Sequence, residues 1–323
     1  MVNTCPEGKV TESMDNLTVL ICTYNRIDLL KKTINSLNKA DRPDNKSIDI
    51  LVAANACTDD THTFLADYQQ RQKNEGLLSL NWLTEPIAGK SYALNTAIPT
   101  ISSSLIAFVD DDHRVDKKFF ISIFNAFDEN PASHIYCGRI LPDWDGNEPA
   151  WLHDDGEYKI YPLPVPRYDQ GNDPRQIDIS GPLPGGGNVT IRKEVFSIIG
   201  LFSTQLGPHG HNLGGGEDSD FMHRAVNQKI NIFYDPEIIQ YHYVDTERLK
   251  LSYIIKKSFQ RSRSITFIHS EHQTFPFYLF RKLVSYLIHT LTSLYWPETR
   301  FYLVRSAATL GEISAYLSGR KGS

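Results

Sequence analysis

Cysteine is scarce in this chain: there are four in 323 residues, at Cys5, Cys22, Cys57 and Cys137, with no CxxC pair and no histidine at zinc-finger spacing. That argues against a disulfide framework and against a structural zinc, and it suits a reducing compartment. Long apolar runs are also missing. No stretch approaches the roughly 18 apolar residues that cross a bilayer, and the polar opening from Met1 to Asn16 lacks the apolar core of an export signal. The expectation is a cytoplasmic protein. Repeats and low-complexity tracts are absent, and neither charge nor aromatic content suggests disorder. The formal net charge is only -5, but it is uneven: from Glu247 to Ser323 twelve Lys or Arg face four Glu, a local +8 that leaves -13 for residues 1–246. A basic excess confined to the tail fits nucleic acid poorly.

What is present is a folded chain, 41% hydrophobic. Up to about residue 130 short β-rich runs alternate with helical segments: Leu17–Thr23, Ile27–Leu37, Ile48–Ala54, Asp59–Gln70, Leu77–Leu83, Lys90–Ile98, Leu105–Val109 and Asp116–Phe127. Strand, helix, strand repeated this way predicts right-handed crossovers and a mostly parallel sheet flanked by helices, an α/β fold of Rossmann-like character. Between about 140 and 185 eight prolines predict irregular loops and short edge strands. Strands return at Gly187–Ile191, Ile230–Phe233 and Ile238–Tyr243, with a helix near Ser219–Asn227. The remainder reads as helices, so the chain divides at 246/247 into a main domain and a helical C-terminal extension packed on it. In that extension Leu279, Leu283, Tyr286, Leu287, Leu291 and Leu294 recur at helical spacing. Such a stripe packs by default on the protein's own core, and its neighbouring aromatics and cations leave peripheral membrane contact as the alternative.

The densest chemistry is Asp110-Asp111-Asp112, directly after the apolar strand Leu105–Val109. Open α/β sheets bind ligands at the carboxyl ends of their strands. Adjacent carboxylates repel unless a cation compensates, and hard divalent ions take carboxylate oxygen. The competing reading is a solvated turn with an Asp helix cap. Other polar groups end neighbouring strands or open helices: Thr23-Tyr24-Asn25-Arg26, then Asn55 to Asp59, then Gly89-Lys90. Further on come Gly185-Gly186-Gly187-Asn188, Gly214-Gly215-Gly216-Glu217-Asp218, and Tyr241-His242-Tyr243.

In its joint order this series resembles the family 2 glycosyltransferases of GT-A fold, over roughly residues 17–245. The resemblance implies an inverting, metal-dependent transfer of sugar from a nucleoside diphosphate to an acceptor hydroxyl, in polysaccharide, glycolipid or other glycoconjugate synthesis. Thr23, Tyr24, Asn25, Arg26, Asn55 and Asp59 would hold the nucleoside, with a UDP-sugar favoured and a GDP-sugar the alternative. Relatives often carry an acid before the Asn of the second loop, where this chain has Ala54. The triplet stands as the DxD motif, with Asp110 and Asp111 toward the donor, and Asp112, Asp110 and His242 on Mn²⁺ or Mg²⁺. Gly187 and Asn188 would lie below the donor sugar. Asp218 is assigned as the base that takes the acceptor proton, with Glu217 as its deputy. Helix capping is the plain alternative for this acidic pair, and Lys90 reads equally as a crevice-rim cation or a solvated helix-start lysine. His209 and His211 are read as lining a lid, Trp144 and Trp151 as stacking on an acceptor sugar or anchoring their loop. The acceptor is a glycan, glycolipid or small molecule, with the enzyme cytoplasmic or peripheral at the inner membrane face. Two rivals remain: a sugar-phosphate nucleotidyltransferase, disfavoured because Thr23-Tyr24-Asn25-Arg26 lacks the glycine of a phosphate loop, and a binding module without turnover.

Overall fold

The computed structural model describes residues 16–161, 163, 165–178, 181–205, 216–269 and 275–319; His209, His211, Gly214 and Gly215 lie outside them. The chain divides into two compact units, one of Met1–Pro142 with Pro166–Tyr243, the other of Asp143–Val165 with Val244–Ser323. The division differs from the expected one at 246/247, because residues 143–165 join the C-terminal helices.

In the first unit the alternating pattern becomes β1 (Asn16–Thr23), α1 (Ile27–Lys39), β2 (Ser47–Asn55), α2 (Thr61–Arg71), β3 (Ser79–Glu85), α3 (Lys90–Ala97), β4 (Leu105–Val109), β5 (His113–Val115) and α4 (Phe119–Glu129). β6 (Ile135–Asp143), β7 (Arg175–Gln176), β8 (Asn188–Arg192), α5 (Val195–Ile199), α6 (Glu217–Asn227) and β9 (Ile232–Tyr243) follow. β1 is parallel to β2 and β4, and β2 to β3. The strand order is β3-β2-β1-β4-β8-β6-β9-β5, with β7 beside β9.

The pleat explains why these strands read as apolar throughout. Alternate residues of β1 and β4 serve opposite faces: Leu17, Val19, Ile21, Leu105 and Ala107 join one core with Leu30 and Ile34 of α1. Leu20, Ile106 and Phe108 join the other with Leu94 of α3 and Phe221 of α6. Where two strands were expected at 230–233 and 238–243, β9 is one element running through Pro236. It changes partners on either side of the proline, pairing with β7 at Phe233 and Tyr234 and with β5 at Gln240 to His242.

The second unit is built from α7 (Leu251–His269), α8 (Tyr278–Thr292) and α9 (Trp296–Gly319). A Cβ on Gly311 would lie 2.2 Å from the Phe259 carbonyl oxygen, so glycine lets α9 approach α7 this closely. Residues 143–165 belong here because Trp151 and Leu163 pack with Leu152, Val244 and Leu249. Arg300, itself buried, holds Asp154 at 2.6 Å and lies 4.6 Å from the Trp151 ring centroid. Trp151 therefore anchors its loop. The stripe on α8 is only partly a core face: Leu279 is buried, while Leu287 and Leu291 are exposed at 42% and 83%, and Leu294, just past the helix, at 104%. No helix of the described residues is long and apolar enough to cross a membrane.

Candidate active site

The carboxyl ends of β1, β2 and β4 converge with the start of α3 and α6 on one crevice of the first unit. Lys90, at the first turn of α3, lies 2.9 Å from Asp110 and 3.9 Å from Asp218. The acidic triplet and the acidic pair, more than a hundred residues apart, therefore share one cation. Burial opposes charge on Lys90, but Asp110 and Asp218 hold its pKa well above the ordinary lysine range. Burial likewise opposes ionisation of Asp110, yet the Lys90 ammonium keeps its carboxyl well below the usual range. Lys90 is thus a crevice cation rather than a solvated helix-start lysine.

The three aspartates have different environments. Asp111 is buried, accepts from Thr23 Oγ1 at 2.8 Å and Arg26 at 3.2 Å, and through its carbonyl from Thr33 at 2.9 Å. Burial, with the Asp112 charge beside it, raises its pKa to about 6. Both of its oxygens are engaged within the protein, where it joins the ends of β1 and β4. Asp112 takes a 3.0 Å ion pair from half-exposed Arg26 and lies 3.7 Å from His242 Nε2.

Asp112, His113 and His242 offer ligand atoms that all lie within 4.8 Å of one another. The pairing of β5 with β9 puts His113 opposite His242. Their rings meet edge-on at 4.9 Å. A chain of hydrogen bonds sets the tautomer of His113. Gln240 uses its amide nitrogen on Phe108 O (3.1 Å) and Asn188 Oδ1 (3.0 Å), so its oxygen is left to accept from His113 Nδ1 at 2.6 Å. Burial holds the His113 pKa below its ordinary value despite Asp110 and Asp112, and the neutral ring turns the Nε2 lone pair toward the acids. His242 spends Nδ1 on the Tyr243 carbonyl at 2.6 Å, leaving its Nε2 toward Asp112. Two imidazole nitrogens and a carboxylate are a set that suits a divalent first-row cation. His113 and Gln240 escape the reading of the sequence.

Several residues expected to touch the nucleoside bind other parts of the protein. Asn55 is buried, donates to the carbonyls of Glu85 (3.2 Å) and Ile87 (2.7 Å), and accepts from the Gly89 amide at 2.7 Å. It thereby sets the loop that delivers Lys90. Asn25, at φ 52°, accepts from the Thr58 and Asp59 amides at 2.7 and 3.2 Å, clamping the first loop to the second. Asp59 accepts from the Ile27 amide at the start of α1 and from Thr61. Asn188 spends its amide group on the carbonyls of Arg139 and Ile238. Tyr24 is half-buried at the end of β1.

The glycine segment lies against these acids. A Cβ on Gly186 would fall 2.2 Å from Asp218 Oδ1, and one on Gly187 would fall 2.8 Å from both Asp110 Oδ2 and His113 Cε1. Asp218 Oδ1 is buried without a hydrogen-bond partner. Glu217 is also buried. Desolvation and then the Asp218 charge raise its pKa. A lone buried carboxylate oxygen beside a crevice is an acceptor awaiting a donor.

Residues 18–199 match the family model of Glycosyl transferase family 2. The succinoglycan biosynthesis protein ExoM of Rhizobium meliloti is 23% identical over 255 residues, 76% of this chain and 72% of its own length. The GalNAc(5)-diNAcBac-PP-undecaprenol beta-1,3-glucosyltransferase of Campylobacter jejuni is 27% identical over 135 residues, 42% of this chain and 41% of that protein. Among solved structures, S. aureus TarS 1-349 in complex with UDP-GlcNAc matches at TM-score 0.53 and 14% identity, over 95% of this chain and 92% of that one. The mannosyltransferase PcManGT of Pyrobaculum calidifontis, in complex with GDP-Man and Mn2+, matches at TM-score 0.51 and 14% identity, over 95% and 75%. The helix-flanked mixed sheet thus shares its fold with these GT-A enzymes.

Proposed function

The chain belongs to glycosyl transferase family 2 and is a glycosyltransferase, and on that premise we propose that it moves a sugar from a nucleoside-diphosphate donor to an acceptor hydroxyl with inversion. The observation that carries this reading is Lys90 standing 2.9 Å from Asp110 and 3.9 Å from Asp218, so that donor-side and acceptor-side carboxylates face one space. Complexes of fold relatives with UDP-GlcNAc and with GDP-Man support a nucleotide-sugar donor, with the uridine form favoured.

Asp218 acts as general base. Its unpartnered Oδ1 takes the proton from the acceptor hydroxyl as that oxygen attacks the anomeric carbon and the bond from that carbon to the diphosphate oxygen breaks. Glu217 beside it keeps local charge negative, which supports basicity, and orients the hydroxyl. Lys90 pins Asp110 and places its positive charge beside Asp218. Arg26 and Asp111 fix Asp112, while Gln240 holds His113 in the tautomer that presents Nε2.

Asp112, His113 and His242, with Asp110 at their side, would hold Mn²⁺ or Mg²⁺; the two nitrogens tilt the set toward Mn²⁺. When bound, such an ion supplies Lewis-acid neutralisation of the departing nucleoside diphosphate. The acceptor class follows the relatives, whose names point to succinoglycan synthesis and to an undecaprenol-linked glycan. The exposed apolar face of α8 supports peripheral docking of the second unit on a membrane, where a lipid-linked acceptor would be met. A binding module without turnover has no use for the orphaned Asp218 oxygen.

The test is Asp218→Asn. It should abolish nucleoside-diphosphate release with acceptor present, a loss on the order of 10²–10⁴-fold, while calorimetry shows the donor nucleotide still bound. Retained turnover would remove Asp218 from the base role.

A further inference from the structure

The second unit contains a pocket of about 300 Å³ formed by one face of α7, one face of α9 and the segment around Ile160. It lies at the lower end of ligand-pocket volumes. Its wall is mainly aliphatic, made by Ile160, Leu163, Ile254, Val304 and Ala308, with Tyr161, Ser258 and Ser262 completing the lining. Lys257, Arg261 and Arg305 also line it. The pocket carries three cations and no carboxylate.

The three cations are exposed, and no carboxylate lines the pocket beside them. Lys257 and Arg261 stand four residues apart on α7, a like-charge spacing that destabilises a helix by roughly 0.2–0.5 kcal/mol. Among the described residues none of the three forms an ion pair; Arg305 lies instead 5.6 Å from the Phe301 ring centroid and 5.9 Å from that of Tyr286. Elsewhere in this unit cations do find acids, as Arg300 does with Asp154 and Lys282 with Glu312. A positive rim over an aliphatic wall selects a ligand with two matching parts. A nucleotide would want an aromatic platform along that wall, and an acidic glycan would want hydroxyl or amide partners there. The lining offers one ring, Tyr161, which is 81% exposed, and two hydroxyls, Ser258 and Ser262, against five aliphatic side chains, so a hydrocarbon chain fits it best.

We propose that this pocket binds a lipid phosphate, its apolar chain against Ile254, Val304 and Ala308 and its phosphate on Lys257, Arg261 and Arg305. The site is separate from the transfer chemistry, since it uses no residue assigned to donor, metal or base. It is also separate from bilayer docking through α8, because a pocket can be filled by a monomeric amphiphile in solution.

Farnesyl phosphate, below its aggregation concentration, is the probe. Titrated into the intact chain by calorimetry or intrinsic fluorescence, it should bind, while farnesol and inorganic phosphate at equal concentration should bind at least tenfold more weakly. Lys257→Gln/Arg261→Gln should weaken farnesyl phosphate at least tenfold. Ala308→Trp, which fills the pocket but keeps every cation, should do the same. Both variants should retain donor-nucleotide affinity and turnover on a soluble acceptor, so failure of this site and failure of the transferase reading are told apart. The proposal is overturned if farnesyl phosphate does not bind, if inorganic phosphate binds equally well, or if Ala308→Trp binds as the parent does, which would mean charge attraction without a pocket.

Discussion

Three consecutive glycines give a graded test of the crevice. Around an added Cβ at Gly185 there is nothing within 4 Å; at Gly186 the Asp218 carboxyl stands at 2.2 Å; at Gly187 Asp110 and His113 both stand at 2.8 Å. Ordinary carbon contacts begin near ~3.5 Å, so alanine demands a displacement of about 1.3 Å at position 186 and about 0.7 Å at position 187. Asp218 is an unpaired side-chain end on Oδ1 and swings aside, which costs little stability but moves the base. Asp110 and His113 are pinned, by Lys90 and by Gln240 at 2.9 and 2.6 Å, so strain spreads into the buried network. Misplacement on the scale of 1 Å lowers rates on the order of 10²-fold, and overpacking a fixed core costs roughly 1–3 kcal/mol. Gly186→Ala should therefore lower kcat on the order of 10²-fold with donor affinity and melting temperature near the parent's. Gly187→Ala should lower divalent-ion affinity and the melting temperature together. Gly185→Ala should stay within about 0.5 kcal/mol of the parent and turn over normally. Nucleoside-diphosphate release, a Mn²⁺ titration and thermal unfolding on the three variants read all of this. If Gly187→Ala keeps parental turnover and Mn²⁺ affinity, or if Gly185→Ala is as damaging as its neighbours, the assignment of these acids to one site is wrong.

Replacing Gln240 by Leu deletes the acceptor for His113 Nδ1 and the donor to Asn188; Mn²⁺ affinity should fall about 10- to 100-fold without loss of any direct ligand, as a metal titration by calorimetry will show. Asp59→Ala removes the acceptor at the start of α1 and should cost roughly 0.5–2 kcal/mol at neutral pH. Desolvation opposes ionisation of Asp59, but bonds from Thr61 and Ile27 carry its folded pKa below 3.8. Its contribution is thus complete above that value and fades as pH falls through the depressed one, so the stability gap between variant and parent should narrow in denaturant melts carried into that acidic range. Leu287→Glu/Leu291→Glu places charge on the exposed face of α8 and should abolish sedimentation with anionic liposomes while leaving donor binding intact; undiminished sedimentation would exclude that face as the contact.

The sheet was legible because both of its faces are covered: β1 and β4 are apolar at every position but Asn16, Thr18 and Thr23, and a sheet between helix layers asks for that. β5 was not legible. Three residues after an acidic triplet read as the approach to a helix, and only the pairing of His113 with His242 reveals them as a strand. That pairing is also what makes His113 a candidate ligand, so strand and ligand were missed together. Gln240 sits between Ile238-Ile239 and Tyr241, where one amide carries no signal until the three partners of its side chain are known. On α8 the spacing identified a face and left open what covers it.

The same limit explains Asn25, Asn55 and Asp59. Asn and Asp at strand ends either meet a ligand or close a turn, and the residue type does not distinguish the two. Here they close the turns, yet the inference from them to a crevice survives, because the loops they tie together are the ones that present Lys90, Arg26 and Asp110. The site's charge makes the functional argument without them. Five carboxylates, Asp110, Asp111, Asp112, Glu217 and Asp218, are set against the two fixed cations Lys90 and Arg26, and the protein relieves part of the excess by raising the pKa values of Asp111 and Glu217. A diphosphate entering such a crevice would meet net repulsion. A divalent ion between the carboxylates and the diphosphate turns that repulsion into attraction, which is the physical reason to expect donor and cation to bind here as one unit.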